Sequence, residues 1–157
     1  MVDAQIRHEK TLTGLLPALA GSNMIYGAGM IEMGMTMSYE QLLIDAEIIK
    51  MIKRVMQGIA VNNETLAADV IKAVGPAGTY LSQKHTRQHM KAESSQTKLI
   101  DRRSYEAWQK LGSRDIFSLA NEEAIKILET HKVAPLPDPV VRELQSIIEE
   151  AESEFPG

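Results

Sequence analysis

Ser22-Asn23-Met24-Ile25-Tyr26-Gly27-Ala28-Gly29 is the stretch on which the fold class turns. A short apolar run that follows a helix and runs into glycines has the pattern of a buried strand entering a loop. The helix before it is read from Ile6, Leu12, Leu15, Leu16 and Leu19, with Gly21 as its stop; Gly14 and Pro17 weaken its last turn. After the glycines, Ser38 opens the clearest helix of the chain. Gln41 stands at capping-box distance and Glu40 suits the positive end of the helix dipole. Leu42, Leu43, Ala46, Ile49, Ile52, Val55 and Met56 recur close to the 3.6-residue period, Lys50, Lys53 and Arg54 load the last turns, and Gly58 ends them.

Farther along, Asn63 is placed to cap a helix carrying Leu66, Ala67, Val70, Ile71 and Val74, stopped at Gly75-Pro76. Thr79-Tyr80-Leu81 is a weak extended piece, and residues 82–100 read as a polar surface excursion or partly helical arm. Asp101 caps a short helix with Tyr105, Trp108 and Leu111. The next helix, about residues 113–131, points Ile116, Phe117, Leu119, Ala120, Ala124, Ile127 and Leu128 inward. The stiff Ala134-Pro135-Leu136-Pro137 leads to a last helix with Asp138 as cap and Pro139 at its first position. Five or six helices with one good strand make a lopsided inventory, because a lone strand cannot satisfy its own backbone. The chain is therefore either all-helical with one buried extended segment or the end of a larger α/β sheet, and the second reading accounts better for the strand.

Composition narrows the function. Seventeen Lys and Arg against 21 Asp and Glu give a net charge of −4 in 157 residues, without the basic stripe of a nucleic-acid platform. With no cysteine there is no disulfide framework, thiolate metal site or cysteine nucleophile. No run of roughly 18 apolar residues is present to span a membrane. Acids and bases also occupy the N-terminus where a signal peptide needs an apolar core. The expectation is a soluble, cytoplasmic protein that binds neither nucleic acid nor membrane. Nine methionines outnumber the seven aromatics, and five of them, Met24, Met30, Met33, Met35 and Met37, crowd one short region. Methionine fills irregular cores and also builds soft ligand-facing surfaces.

Local motifs are weak. Gly27-Ala28-Gly29 lacks the third glycine of a dinucleotide fingerprint. Glu32 and Glu40 flank the glycine loop, where ligands are met if the strand belongs to a barrel or doubly wound sheet. His85 and His89 lie four apart, on one face of a helix, but the glutamate of the zinc-protease motif is missing and no third ligand is evident from spacing. No metal site is assigned on this basis, and a metal hydrolase is the least supported reading. Asp101-Arg102-Arg103 offers a phosphate contact, though capping by Asp101 explains half of it. No G-x-S-x-G frame supports acyl-enzyme chemistry.

Four longer stretches say more: residues 1–21, Ile25-Tyr26-Gly27-Ala28-Gly29-Met30-Ile31-Glu32, Leu42-Leu43-Ile44-Asp45, and Leu99-Ile100-Asp101-Arg102-Arg103. In this order they resemble the trimethylamine:corrinoid methyltransferase family, and the resemblance runs through essentially the whole chain, matching roughly the last third of a family member. It implies an α/β chain that is the C-terminal part of a TIM barrel plus a mostly helical C-terminal extension. Residues 1–62 then form the last βα elements, with Asn23–Gly29 as a strand, and residues 63–157 form the extension. It implies transfer of a methyl group from a methylated amine to the cobalt of a separate corrinoid (cobalamin) protein. On that reading this segment binds no cofactor of its own, is inactive alone, and belongs to an enzyme that is a homo-oligomer.

Family members acting on trimethylamine carry a pyrrolysine, encoded by an in-frame amber codon, N-terminal to this stretch. The resemblance leads us to expect this chain to be the reading frame left when that codon is taken as a stop, since Met1 opens directly into family sequence. Members without pyrrolysine use glycine betaine and other quaternary amines, which is the alternative substrate class. A methylated ammonium is held by aromatic and apolar walls and by carboxylate charge. Tyr26, Glu32, Met24 and Met30, with Met33 beside them, are the expected substrate-facing residues, and His85, Arg87 and Gln88 the expected corrinoid-protein contacts. A free-standing, non-catalytic helical interaction module is the competing class of function.

Overall fold

The computed structural model describes residues 3–155. Its elements run α1 (Ala4–Leu19), β1 (Met30–Ile31), β2 (Thr36–Met37), α2 (Tyr39–Met56), α3 (Asn63–Leu66), α4 (Ala68–Val74), α5 (Lys84–Ala92), α6 (Tyr105–Lys110), α7 (Ile116–Thr130) and α8 (Asp138–Glu154). The described chain is mostly helical. Its sheet consists of β1 and β2 alone, paired antiparallel with Met30 opposite Met37 and Ile31 opposite Thr36. A single 3₁₀ turn, Glu32–Gly34, joins them.

The strand expected over Asn23–Gly29 is not one: Met24–Gly27 is irregular and extends no ladder among the described residues. The physical reason is the one that made the inventory lopsided, since a strand needs a neighbour and β1 and β2 take each other. Thr79–Leu81 likewise pairs with nothing described.

Two compact units divide the chain, Met1–Ile125 and Lys126–Gly157. In the first, α1 begins on Asp3, whose carboxylate accepts from the amides of Gln5 and Ile6. It packs on α2 through Gly14, where a Cβ would meet Ile52 Cδ1 at 3.0 Å. Ser38 caps α2 by accepting from the Gln41 amide at 3.1 Å. The reciprocal half of the capping box is not made; the Ser38 amide donates instead to Gly29 O at 2.9 Å. Ile44 of α2, Leu99 and Ala120 of α7 form the buried core, with Leu43, Ile48, Ile116 and Leu119 against it.

The buried stripe of α2 is not the apolar one expected. Gln41, Ile44, Asp45, Glu47 and Ile52 are buried while Ala46 is exposed, because polar partners wait on that face. Asn62 rather than Asn63 caps α3, and Ala67 in the left-handed region (φ 51) splits the expected single helix into α3 and α4. Ser104, not Asp101, caps α6. Of the residues expected inward on α7, Ala120 and Ala124 are buried but Phe117 is exposed. In the second unit α8 carries Val141, Leu144, Ile147 and Ile148, all exposed.

Candidate functional site

Asp45 organises the first unit. It lies about two turns into α2, 4% exposed, and its carboxylate is met from three sides. Lys10 of α1 donates to Oδ2 at 2.5 Å and also to Gly27 O at 2.9 Å. The Gly29 amide donates to the same Oδ2 at 2.8 Å, and Gln41 Nε2 donates to Oδ1 at 2.6 Å. An ionised carboxylate only accepts, so it compels Gln41 to present its nitrogen, which leaves the buried Gln41 Oε1 without a partner. Burial of such a charge is tolerated because it is paired and hydrogen-bonded on both oxygens.

This node fixes the Met24–Gly29 loop against both helices. Gly29 supplies what no other residue does here. Its φ is +78, and a Cβ would lie 2.8 Å from Met37 Sδ and 3.0 Å from Leu42 Cβ. Beneath the loop is a cleft of about 280 Å³, lined by Lys10, Met24, Tyr26, Gly27, Asp45 and Ile49 among others. It is apolar along the helices and carries one ion pair at its floor.

The residues expected to face substrate are therefore only partly united. Met24 and Tyr26 line the cleft, and both present most of their surface to solvent. Met30 and Glu32 belong to the hairpin and are not among the cleft's walls. Glu32 sits at φ 52 and accepts from Thr36 Oγ1 at 2.5 Å, while Met33 at φ 55 is fully exposed. Two successive non-glycine residues in the left-handed region mark a strained turn. Glu40, also flanking the loop, has its carboxyl held below the usual range by hydrogen bonds from the Ser38 hydroxyl, its own backbone amide and Asn121 of α7.

Lys10, Asp45 and Gln41 escaped the reading of the sequence. A signal was present: Asp45 interrupts the apolar spacing of α2 one residue after Ile44, and a charge in phase with a core face needs a partner.

On α5, Arg87 and Gln88 are exposed, while His85 turns toward α3, 2.9 Å from the Glu64 carbonyl oxygen. His89 lies 2.7 Å from Glu64 Oε1. Spacing found the two imidazoles but had no means of finding Glu64, 21 residues before His85.

The node and the core beside it bring together residues from all four of the separate stretches of sequence. Lys10 lies in the first of them, Gly27 and Gly29 in the second, Asp45 in the third, and Leu99 of the fourth packs on Ile44. A family model for trimethylamine methyltransferase matches residues 1–156. The chain belongs to the trimethylamine methyltransferase family. It is 52% identical over 153 residues to Trimethylamine methyltransferase MttB of Desulfitobacterium hafniense (strain DSM 10664 / DCB-2), covering 98% of this chain and 31% of that protein. To MttB2 of Methanosarcina mazei it is 49% identical over 153 residues, again 98% of this chain and 31% of the relative. A glycine betaine methyltransferase of D. hafniense (strain Y51) is 40% identical over 110 residues, 69% of this chain and 23% of that protein. The chain thus spans about a third of the length of the relatives it matches. No helix among its described residues is long and apolar enough to cross a membrane.

Proposed function

We propose that this chain is the C-terminal part of an amine methyltransferase that passes a methyl group from trimethylamine to the cobalt of a separate corrinoid protein. Residues 1–62 supply the last βα elements of a TIM barrel and residues 63–157 its helical C-terminal extension, in an enzyme that acts in the cytoplasm as a homo-oligomer. The observation that carries this reading is the joining of the family's separated stretches at the Lys10–Asp45 node, which holds the Met24–Gly29 loop in place.

In the reaction the C–N bond to one methyl group of the protonated amine breaks, its electron pair stays on nitrogen so that neutral dimethylamine leaves, and the methyl carbon passes to the reduced cobalt of the partner. The protein's task is to align nitrogen, methyl and acceptor and to exclude water. Tyr26 offers a ring face to the methylated cation, Met24 and Met30 offer soft apolar walls, and Glu32 offers counter-charge. His85, Arg87 and Gln88 of α5 contribute to the surface that meets the corrinoid protein. The 40% identity to a glycine betaine methyltransferase supports a second reading, in which the substrate is a quaternary amine.

The test is to express the reading frame extended upstream alongside this chain and to follow methylation of a corrinoid protein with trimethylamine or glycine betaine. Trimethylamine-dependent activity in the extended protein alone supports the proposal, and activity with betaine alone selects the second reading. Inactivity of both proteins, with a cooperative melt of this chain as a monomer, overturns both in favour of a helical interaction module.

A further inference from the structure

The break between α3 and α4 brings a carboxylate to the two imidazoles of α5. Asn62 accepts from the amides of Glu64 and Thr65 and fixes the start of α3, and left-handed Ala67 stops it after one turn. Glu64 is thereby presented beside His85 and His89, whose ring centroids are 4.2 Å apart. His89 Nε2 lies 2.7 Å and His85 Nε2 3.9 Å from Glu64 Oε1, and one donor atom from each residue falls within 4.8 Å of the other two. On its far side His89 Nδ1 is 3.9 Å from Glu93 Oε1, and Glu93 is itself anchored by Arg54 through its carboxylate and its carbonyl oxygen.

We propose that Glu64, His85 and His89 form a binding site for a divalent transition-metal ion of the zinc class. Two imidazoles with one carboxylate are a borderline donor set, suited to zinc, cobalt or nickel rather than to calcium or magnesium. Without an ion, the short approaches to Glu64 are hydrogen bonds from protonated Nε2 atoms, to the carboxylate from His89 and to the carbonyl oxygen from His85. With an ion, both protons move to Nδ1, and that of His89 then faces Glu93, the outer carboxylate that orients a metal-bound histidine. Both histidine side chains are 24% exposed, so three protein ligands leave a fourth position open to solvent or to an incoming ligand. The ion ties α3 to α5 across α4 and the loop that follows it.

The experiment titrates zinc alone into chelator-treated, tag-free full chain against a chromophoric indicator, with cobalt as a spectroscopic probe. One equivalent is expected to bind, and cobalt is expected to give the intense visible bands of a four-coordinate site. Glu64→Gln, His85→Ala and His89→Ala are each expected to weaken zinc binding by at least about tenfold. His8→Ala, away from the cluster, is expected to leave it unchanged. Glu64→Gln removes an exposed charge without shortening the side chain, so it reports on the site even where a histidine variant loses helix content. Absence of stoichiometric binding, or binding that persists unchanged in Glu64→Gln and His89→Ala, overturns the proposal.

Discussion

Replacing Asp45 by alanine removes the acceptor that holds Lys10, the Gly29 amide and Gln41 at 2.5, 2.8 and 2.6 Å. Hydrogen bonds to a charged group contribute about 1.5–3 kcal/mol each, so three at the low end amount to roughly 4.5 kcal/mol. Lys10 is 22% exposed and recovers part of its hydration, which lowers the expectation to about 3 kcal/mol, the lower limit for breaking a buried pair. In a chain of this size that lowers the melting temperature by roughly 6–12 °C. Lys10→Met leaves the buried Asp45 carboxylate without its counter-charge and costs at least as much, about 3–5 kcal/mol. The pair of substitutions together should cost less than their sum by about 1–2 kcal/mol, because they remove one shared interaction. The assay is urea unfolding followed by circular dichroism, with hydrogen exchange read at the Gly29 amide. That amide is protected only while Asp45 accepts from it. An Asp45→Ala variant within about 0.5 kcal/mol of the parent, with Gly29 still protected, refutes the reasoning.

Two further outcomes follow from particular contacts. Gly29→Ala places a Cβ against Met37 Sδ and Leu42 Cβ at φ +78 and should cost about 2–4 kcal/mol, the methionine tip yielding and the helix-borne Leu42 not; an unchanged urea midpoint contradicts it. Asp101 has its carboxyl lowered to about 2, first by the hydrogen bond from the Arg103 side chain and then by the Arg103 amide. Because the folded value lies below the unfolded one, the contribution is fully present above pH about 4 and is lost as pH falls toward 2. Arg103→Leu should return the Asp101 midpoint toward 4 in a carbon-detected NMR titration, and a midpoint that stays near 2 would assign the shift to another group.

Helix α2 was legible because its start is chemical and local: Ser38 before an apolar period needs nothing from the rest of the chain. Its inward face was not legible, because the period counts apolar residues and the buried stripe includes Gln41, Asp45 and Glu47. Asp45 and Glu47 are satisfied by groups distant in sequence, Lys10 and the Lys98 amide, while Gln41 is tied to Asp45 through its nitrogen alone. The single helix expected after Asn63 failed at Ala67, where an alanine takes a conformation that its own propensity disfavours. Asp101 was drawn away from its expected cap by Arg103, which offers a charge and two nitrogens where a helix end offers amides. Met24 and Tyr26 line the cleft, and the ion pair beneath them joins two helices and has no local signature. The order of the resembling stretches pointed to the family, and the family model that matches residues 1–156 shows it.

The polar ties of the first unit also set a timetable. Lys10 and Asp45 are 35 positions apart, Glu47 and Lys98 are 51 apart, and Glu40 and Asn121 are 81 apart. At synthesis rates of roughly 5–20 residues per second, α1 is latched to α2 within seconds of leaving the ribosome. Asn121 arrives about 4–16 seconds after Glu40 at the same rates. Throughout that interval the face of α2 that carries Ile44 is waiting for Leu99 and Ala120. The early latch holds that apolar strip in its final geometry before its cover exists, and nascent-chain binders have those seconds in which to reach it.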